Sequence, residues 1–161
     1  MTLVPLIRKT VDLPLIAAGG IGCGKSMLAA MALGADGVQI GSRFVASVES
    51  SAHANFKQFV IAAKEGDTEL IMKKIVPVRL LKNAFYQEMK TLENDRAGIS
   101  KLIDHLGKGR SKKGMFEGDI NEGELEIEQI SASIDSILTV SEIVKTMVKD
   151  YREQLKHMHQ F

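Results

Sequence analysis

What this chain has little of narrows its class before any motif is considered. It has one cysteine, Cys23, which excludes an internal disulfide and fits a reducing compartment. It has no excess of either charge. Its 21 Lys and Arg against 20 Asp and Glu leave +1, so nothing in the balance suggests a nucleic acid or a membrane surface as partner. No run approaches the roughly 18 apolar residues that a spanning helix needs. The start, MTLVPLIRKTVDLP, lacks the basic-then-apolar order of a secretory signal. Repeats and low-complexity tracts are missing too. These absences predict a cytoplasmic globular protein, and 161 residues with 45% apolar content suffice for one domain of ordinary size.

Strand is also scarce. The one strong βαβ pattern lies in Leu13–Phe44, LPLIAAGGIGCGKSMLAAMALGADGVQIGSRF. Leu15–Ala18 is short, apolar and unalternating, as a strand buried on both faces should be. Gly19 and Gly20 break it. A helix over Lys25–Leu33 follows, with Met27, Leu28, Met31 and Ala32 as its apolar face, and Gly34 ends it. Val38–Ile40 is the next strand, closed by Gly41. Everything after residue 46 reads helical: Glu49–Glu65, Arg79–Leu92, and Ser100–Leu106 capped by Ser100. Residues 68–78 are ambiguous, with Val76-Pro77-Val78 extended at the proline. Residues 107–124, rich in glycine and charge, read as an exposed loop. An isoleucine stripe (Ile127, Ile130, Ile134, Ile137) suggests another helix. Thr139–Glu142 is a capping box that opens the clearest helix, with Val140, Ile143, Val144, Met147, Val148, Tyr151 and Leu155 on one face. A two-stranded parallel unit cannot cover itself, because parallel sheets are buried on both faces. The expectation is therefore either an unusual fold or the last part of something larger.

Two kinds of protein build such a βαβ stretch. Gly19-Gly20-Ile21-Gly22-Cys23-Gly24-Lys25-Ser26 formally matches the P-loop pattern, in which Lys25 would reach phosphates and Ser26 would hold magnesium. No later strand ends in an aspartate to complete such a magnesium site; GVQIG ends in glycine. The alternative uses both turns. Barrel enzymes bind phosphate with the loops after their last two strands. Backbone N–H groups of Gly20, Gly41 and Ser42 would then converge on one phosphate. Glycine is needed there because a Cβ blocks close approach of the backbone. The Ser42 hydroxyl adds a donor, and Lys25 becomes a solvated helix residue.

AAGGI followed by LGADGVQIGSRF resembles the flavin-binding end of nitronate monooxygenases, formerly called 2-nitropropane dioxygenases. The related FMN-dependent enoyl-acyl-carrier-protein reductases share it. The likeness continues in Glu49-Ser50-Ser51-Ala52-His53, Val78-Arg79-Leu80-Leu81-Lys82-Asn83, Phe116-Glu117-Gly118-Asp119 and Glu128-Gln129, and so covers nearly the whole chain. AAGGI is common to many phosphate-binding barrels; the ordered set is specific. The resemblance implies FMN contacts at Gly20, Gln39, Ile40, Gly41 and Ser42. It also implies a catalytic histidine in a segment this chain lacks. None of His53, His105, His157 or His159 matches that position, so the catalytic residue is unknown. The family usually has glycine where Glu128 stands, and a segment like A-D-G-R where Gly22-Cys23-Gly24-Lys25 stands. Neither departure is expected to touch the phosphate turns.

The residues outside these turns have plainer readings. His53 reads as a helix-surface or packing histidine and Cys23 as an inert thiol. His157 and His159, two apart on a helix, share no face and make no metal site. Lys108, Arg110, Lys112 and Lys113 should pair with the acidic run Glu117–Glu128. The expected fold class is α/β: residues 1–48 as the last two βα units of an FMN-binding TIM (β/α)8 barrel, residues 49–124 as a helical cap, and residues 125–161 as helices packing back on the barrel. The expected function is that of the C-terminal portion of an FMN-dependent oxidoreductase acting on a small molecule, an alkyl nitronate oxidised with O2. Alternatives are an enoyl-thioester reductase, a non-catalytic or complementing module, and a P-loop nucleotide binder. Expected partners are a missing N-terminal barrel half or a second copy of the chain.

Overall fold

The computed structural model describes residues 2–158. Its organising unit is β1 (Ile16–Ala18) beside β2 (Gly37–Gln39), joined by α2 (Gly24–Ala32). The strands pair in parallel, Ile16 opposite Gly37 and Ala18 opposite Gln39. Both glycine turns therefore leave the same end of neighbouring strands. The chain is α/β, and the boundaries lie within a residue or so of those expected. Gly34 turns the chain after α2 at φ +104°, backbone that favours glycine. Asp36 then accepts from the Leu15 N–H at 2.8 Å and pairs with Arg8, which also donates to the Gly34 carbonyl at 2.8 Å. These bonds pin α1 (Leu3–Arg8) to the start of the strand pair. Beneath lies a small core of Ala17, Ile21, Ala30 and Ala35. Burial on both faces of β1 is not met. Ile16 is 53% exposed, because α2 supplies only one of the two layers a parallel sheet needs.

The last helix, α7 (Val140–Met158), opens with the expected capping box. Thr139 N–H donates to Glu142 Oε2 at 2.8 Å, and Glu142 N–H donates to Thr139 Oγ1 at 3.2 Å. The helix lies against α2 so closely that a Cβ on Gly24 would sit 2.2 Å from the Tyr151 backbone nitrogen. Its apolar stripe divides: Ile143 and Met147 are buried, while Val140, Val144 and Val148 remain exposed.

Between β2 and α7 the chain departs from the all-helical expectation. After α3 (Ser42–Val45), α4 is shorter than expected, Ala54–Ala62, and starts where His53 Nδ1 accepts from the Asn55 N–H. Phe56 and Val60, one turn apart on this helix, are buried. Next come β3 (Thr68–Ile71) and β4 (Val78–Leu81), an antiparallel pair with Thr68 opposite Leu81. The helix expected over Arg79–Leu92 begins only at Ala84, as α5 (Ala84–Asn94). Leu80 and Leu81 are both buried because successive strand residues point to opposite faces, here into two separate cores. Asn83 ends the strand and caps α5, accepting from the Tyr86 N–H at 2.9 Å. Helix α6 (Ile99–Leu106) starts one residue before Ser100, which does not cap it.

Residues 107–124 are not an exposed loop. Lys112–Phe116 forms a π-helical turn, and Gly114, Gly118, Gly123 and Glu124 are buried. A Cβ on Gly123 would lie 2.1 Å from the Gly114 Cα, so these glycines mark backbone-to-backbone packing. The expected local pairing is present in Arg110–Glu122, Lys112–Glu117 and Lys113–Asp119. The isoleucine stripe spans a short 3-10 turn, Gln129–Ser133, in place of a longer helix. Ile127 and Ile134 still reach the core with Phe56, Val60, Leu81 and Leu125. Among the described residues no helix is long and apolar enough to cross a membrane, and no group of His, Cys, Asp and Glu could hold a metal.

Tyr86 donates to Glu69, which also pairs with Lys90. Burial, then the Glu69 contact, pushes the Tyr86 phenol up to about 12 from its ordinary 10.0. A group raised on folding stabilises fully below its unfolded value, so this contribution is lost as pH climbs from about 10 towards 12. Near-ultraviolet titration should show one tyrosine ionising late, and Tyr86→Phe should remove that step. A late step that persists in the variant would contradict the assignment.

Candidate functional site

The two glycine turns border one pocket of about 220 Å³. From β1 come Ala18, Gly19, Gly20 and Ile21; from β2 and its turn come Gln39, Gly41 and Ser42. Gly20 has φ +69°, and a Cβ built on Gly20 or Gly41 meets nothing within 4 Å. The volume a side chain would fill is therefore open. Among the described residues no acceptor takes the backbone N–H of Gly20, Gly41 or Ser42, nor does the Ser42 hydroxyl bond to the chain. Unpaired donors facing an open concavity suit a ligand rich in acceptors.

Four of the five residues expected at the cofactor, Gly20, Gln39, Gly41 and Ser42, line this pocket; Ile40 does not. Strand alternation turns Ile40 inward, where it packs on the Ala17 core. Arg43, buried behind the turn, donates to the Ser136 carbonyl at 3.0 Å and to that of Ala46 at 3.4 Å. That anchors the Gly41-Ser42 turn to the segment before α7.

The P-loop reading fails on the same turn. The N–H of Lys25 is taken by Asp150 Oδ2 of α7 at 3.0 Å. Ser26 Oγ accepts from the N–H groups of Gly22 and Cys23, each at 3.2 Å, and donates to the Cys23 carbonyl at 2.9 Å. Helix α7 covers the start of α2, and the Lys25 amide and the Ser26 hydroxyl, which a phosphate and its magnesium would need, are already engaged. Cys23 is exposed at the N-cap of α2.

Glu128 is a correction to the sequence reading. It was expected to lie clear of the phosphate turns, yet it lines the pocket with Gly20, Gly41 and Ser42. No local sequence rule places it there, because 86 residues separate it from Ser42 along the chain. An adjoining groove of about 640 Å³ runs from Gly41, Ser42 and Glu128 to Pro77–Arg79 and Glu126. The β3–β4 hairpin thus borders the site, which the helical expectation for that segment concealed.

The described histidines lie elsewhere. His53 caps α4, and His105 stacks on Phe85 with ring centroids 5.8 Å apart. His157 is on the exposed side of α7, and His159 falls outside the described residues. Gly24→Ala should lower stability by about 2–3 kcal/mol, as overpacking does, whereas Gly41→Ala should leave it nearly unchanged. Chemical denaturation of both variants checks the contrast; equal loss in the two would refute it.

Comparison with known proteins agrees with this architecture. The family model described as nitronate monooxygenase matches residues 1–150. A probable nitronate monooxygenase of Staphylococcus aureus strain MSSA476 is 29% identical over 164 residues, covering all of this chain and 44% of that protein. A counterpart in Staphylococcus saprophyticus is 36% identical over 120 residues, 71% of this chain and 33% of that one. Among solved structures, FabK from Thermotoga maritima superposes with a TM-score of 0.91 at 33% identity, covering 98% of this chain and 50% of that one. Nitroalkane oxidase from Streptomyces ansochromogenes superposes at 0.79 with 26% identity, over 98% of this chain and 44% of its own. The chain thus spans half or less of the length of these relatives. With the profile match running through almost its entire length, the chain belongs to the nitronate monooxygenase family.

Proposed function

We propose that this chain supplies the phosphate grip of an FMN-dependent oxidoreductase that oxidises alkyl nitronates with O2. The observation that carries the reading is the pair of glycine turns on neighbouring parallel strands, with unclaimed N–H groups at Gly20, Gly41 and Ser42 around one pocket. Those donors, the Ser42 hydroxyl and the open space over Gly20 and Gly41 fit a phosphate monoester. Gln39 faces the same pocket and can offer its amide to the ligand, while Ile40 packs beneath and holds the turn in place. Bound flavin would supply the electron-accepting and oxygen-activating chemistry. The chain's own part is to bind and orient; the base that takes the substrate proton is not assigned to any residue here.

The same proposal makes residues 1–48 the last two βα units of a TIM barrel and the rest a cap whose ends return to it. Support comes from the open side of the strand pair, where Leu3 is 67% and Ile16 53% exposed along one groove. A surface of that kind fits the remaining strands and helices of a barrel, in the same protein or as a complementing polypeptide. A second copy of this chain would be the other occupant. The compartment proposed is the cytoplasm.

A second reading, reduction of enoyl thioesters at the same flavin, is favoured by the TM-score of 0.91 with FabK. Both readings need the phosphate grip, so one experiment addresses the shared step. FMN titrated into the protein should quench flavin fluorescence in the parent and in Lys25→Ala alike. Gly41→Ala, which fills the pocket without disturbing the fold, should weaken binding about tenfold or more, as a misfitting group in a close-packed site does. Binding of ATP with magnesium, lost in Lys25→Ala, together with indifference to FMN would overturn the proposal. Turnover of a nitronate against an enoyl thioester, in the protein completed by its barrel strands, separates the two chemistries.

A further inference from the structure

Among the described residues, Glu128 is the only charged one lining the pocket at the glycine turns, and no lysine or arginine shares that lining. It stands at a junction, being common, with Gly41 and Ser42, to this pocket and to the adjoining groove. Its main chain is fixed: the Glu128 carbonyl accepts from the Ser131 N–H at 3.0 Å. Its carboxylate makes no hydrogen bond or ion pair among the described residues, and the side chain is exposed.

The other two charged groups bordering the groove, Arg79 and Glu126, are opposite in sign and hydrogen-bonded to neutral neighbours. Arg79 donates to the Thr68 carbonyl at 3.2 Å and to Thr68 Oγ1 at 3.1 Å. Glu126 is held by the Ser111 hydroxyl at 2.6 Å. Neither of them lines the pocket itself, so within it an anion seated against the Gly20, Gly41 and Ser42 amides would meet neutral donors and, in Glu128, one charge of its own sign.

We propose that Glu128 is a specificity-determining residue of this pocket, which weakens its hold on doubly charged oxyanions more than on singly charged ones. The inference rests on the phosphate-grip reading given above. Backbone amides reward any oxyanion by hydrogen bonding, whereas a fixed negative charge penalises a ligand in proportion to that ligand's own charge. The dianion of a phosphate monoester is therefore held less firmly than the geometry of the donors alone would allow. Neutralising Glu128 should tighten the doubly charged ligand more than the singly charged one.

The test uses amide chemical shifts of Gly20, Gly41 and Ser42 in the full chain, titrated with sulfate as the dianion and methanesulfonate as the monoanion. The substitution is Glu128→Gln, which keeps size and exposure and removes the charge. Sulfate should bind about 3- to 10-fold tighter to the variant, the range left to one like charge in a wet, salt-screened site. Methanesulfonate should gain visibly less. Unchanged shifts at remote core residues, such as Phe56 and Phe85, establish that the variant keeps the fold. Equal sulfate affinity in the two proteins, or equal gains for the two anions, would overturn the role of Glu128 while leaving the grip intact. If neither anion moves the three amides in either protein, the grip itself is refuted, and this inference with it.

Discussion

The parallel pairing of Ile16–Ala18 with Gly37–Gln39 is the constraint on which the rest depends. Parallel strands in adjacent register end side by side, so whatever follows each strand is delivered to the same place. Here glycine turns follow both. Each turn alone would be an ordinary chain reversal. Their juxtaposition leaves three unpaired N–H groups around one opening, and that arrangement has chemical meaning because buried or recessed backbone donors seek acceptors. Everything around the pair fixes the geometry: Asp36 and Arg8 tie the strand starts together, α7 clamps the helix between the strands, and Arg43 braces the second turn.

The parts legible in the sequence were those governed by local rules. Glycine punctuation located both turns, and the Thr139–Glu142 capping box located the start of α7, because each works through neighbours along the chain. His53 and the 107–124 ion pairs also behaved as local chemistry predicts. The hairpin was not legible. Val78–Leu81 consists of residues that suit either a helix or a strand, and its burial in two cores exists only once both cores have formed. The glycines of 107–124 misled for a related reason. Glycine marks both flexible loops and tight backbone contacts, and only the partner segment distinguishes them.

At the site itself, the P-loop pattern shows how a sequence match can be sterically excluded. The spacing of Gly19 to Ser26 satisfies the pattern, yet α7 lies across the start of the helix and takes the amide of Lys25. Glu128 is the converse: it fits no motif at the site, yet the fold brings it to the pocket lip. Tertiary packing decides both, removing one candidate and adding another.

The bond from Lys25 to Asp150 spans 125 residues. A ribosome making this chain releases Asp150 only after those 125 residues have followed Lys25, so α2 waits for its clamp while the segment between them is made. The segment between them is not slack chain. It carries two hydrophobic cores of its own, one drawn from Ala46 to Ile134 and one from Ile71 to Leu102, and every buried member of both precedes α7. Closing a loop grows only slowly more difficult with length, and a loop already collapsed behaves as a shorter one. The middle of this chain is thereby a folding spacer, and the helix that joins the strand pair is clamped only after that spacer has been made.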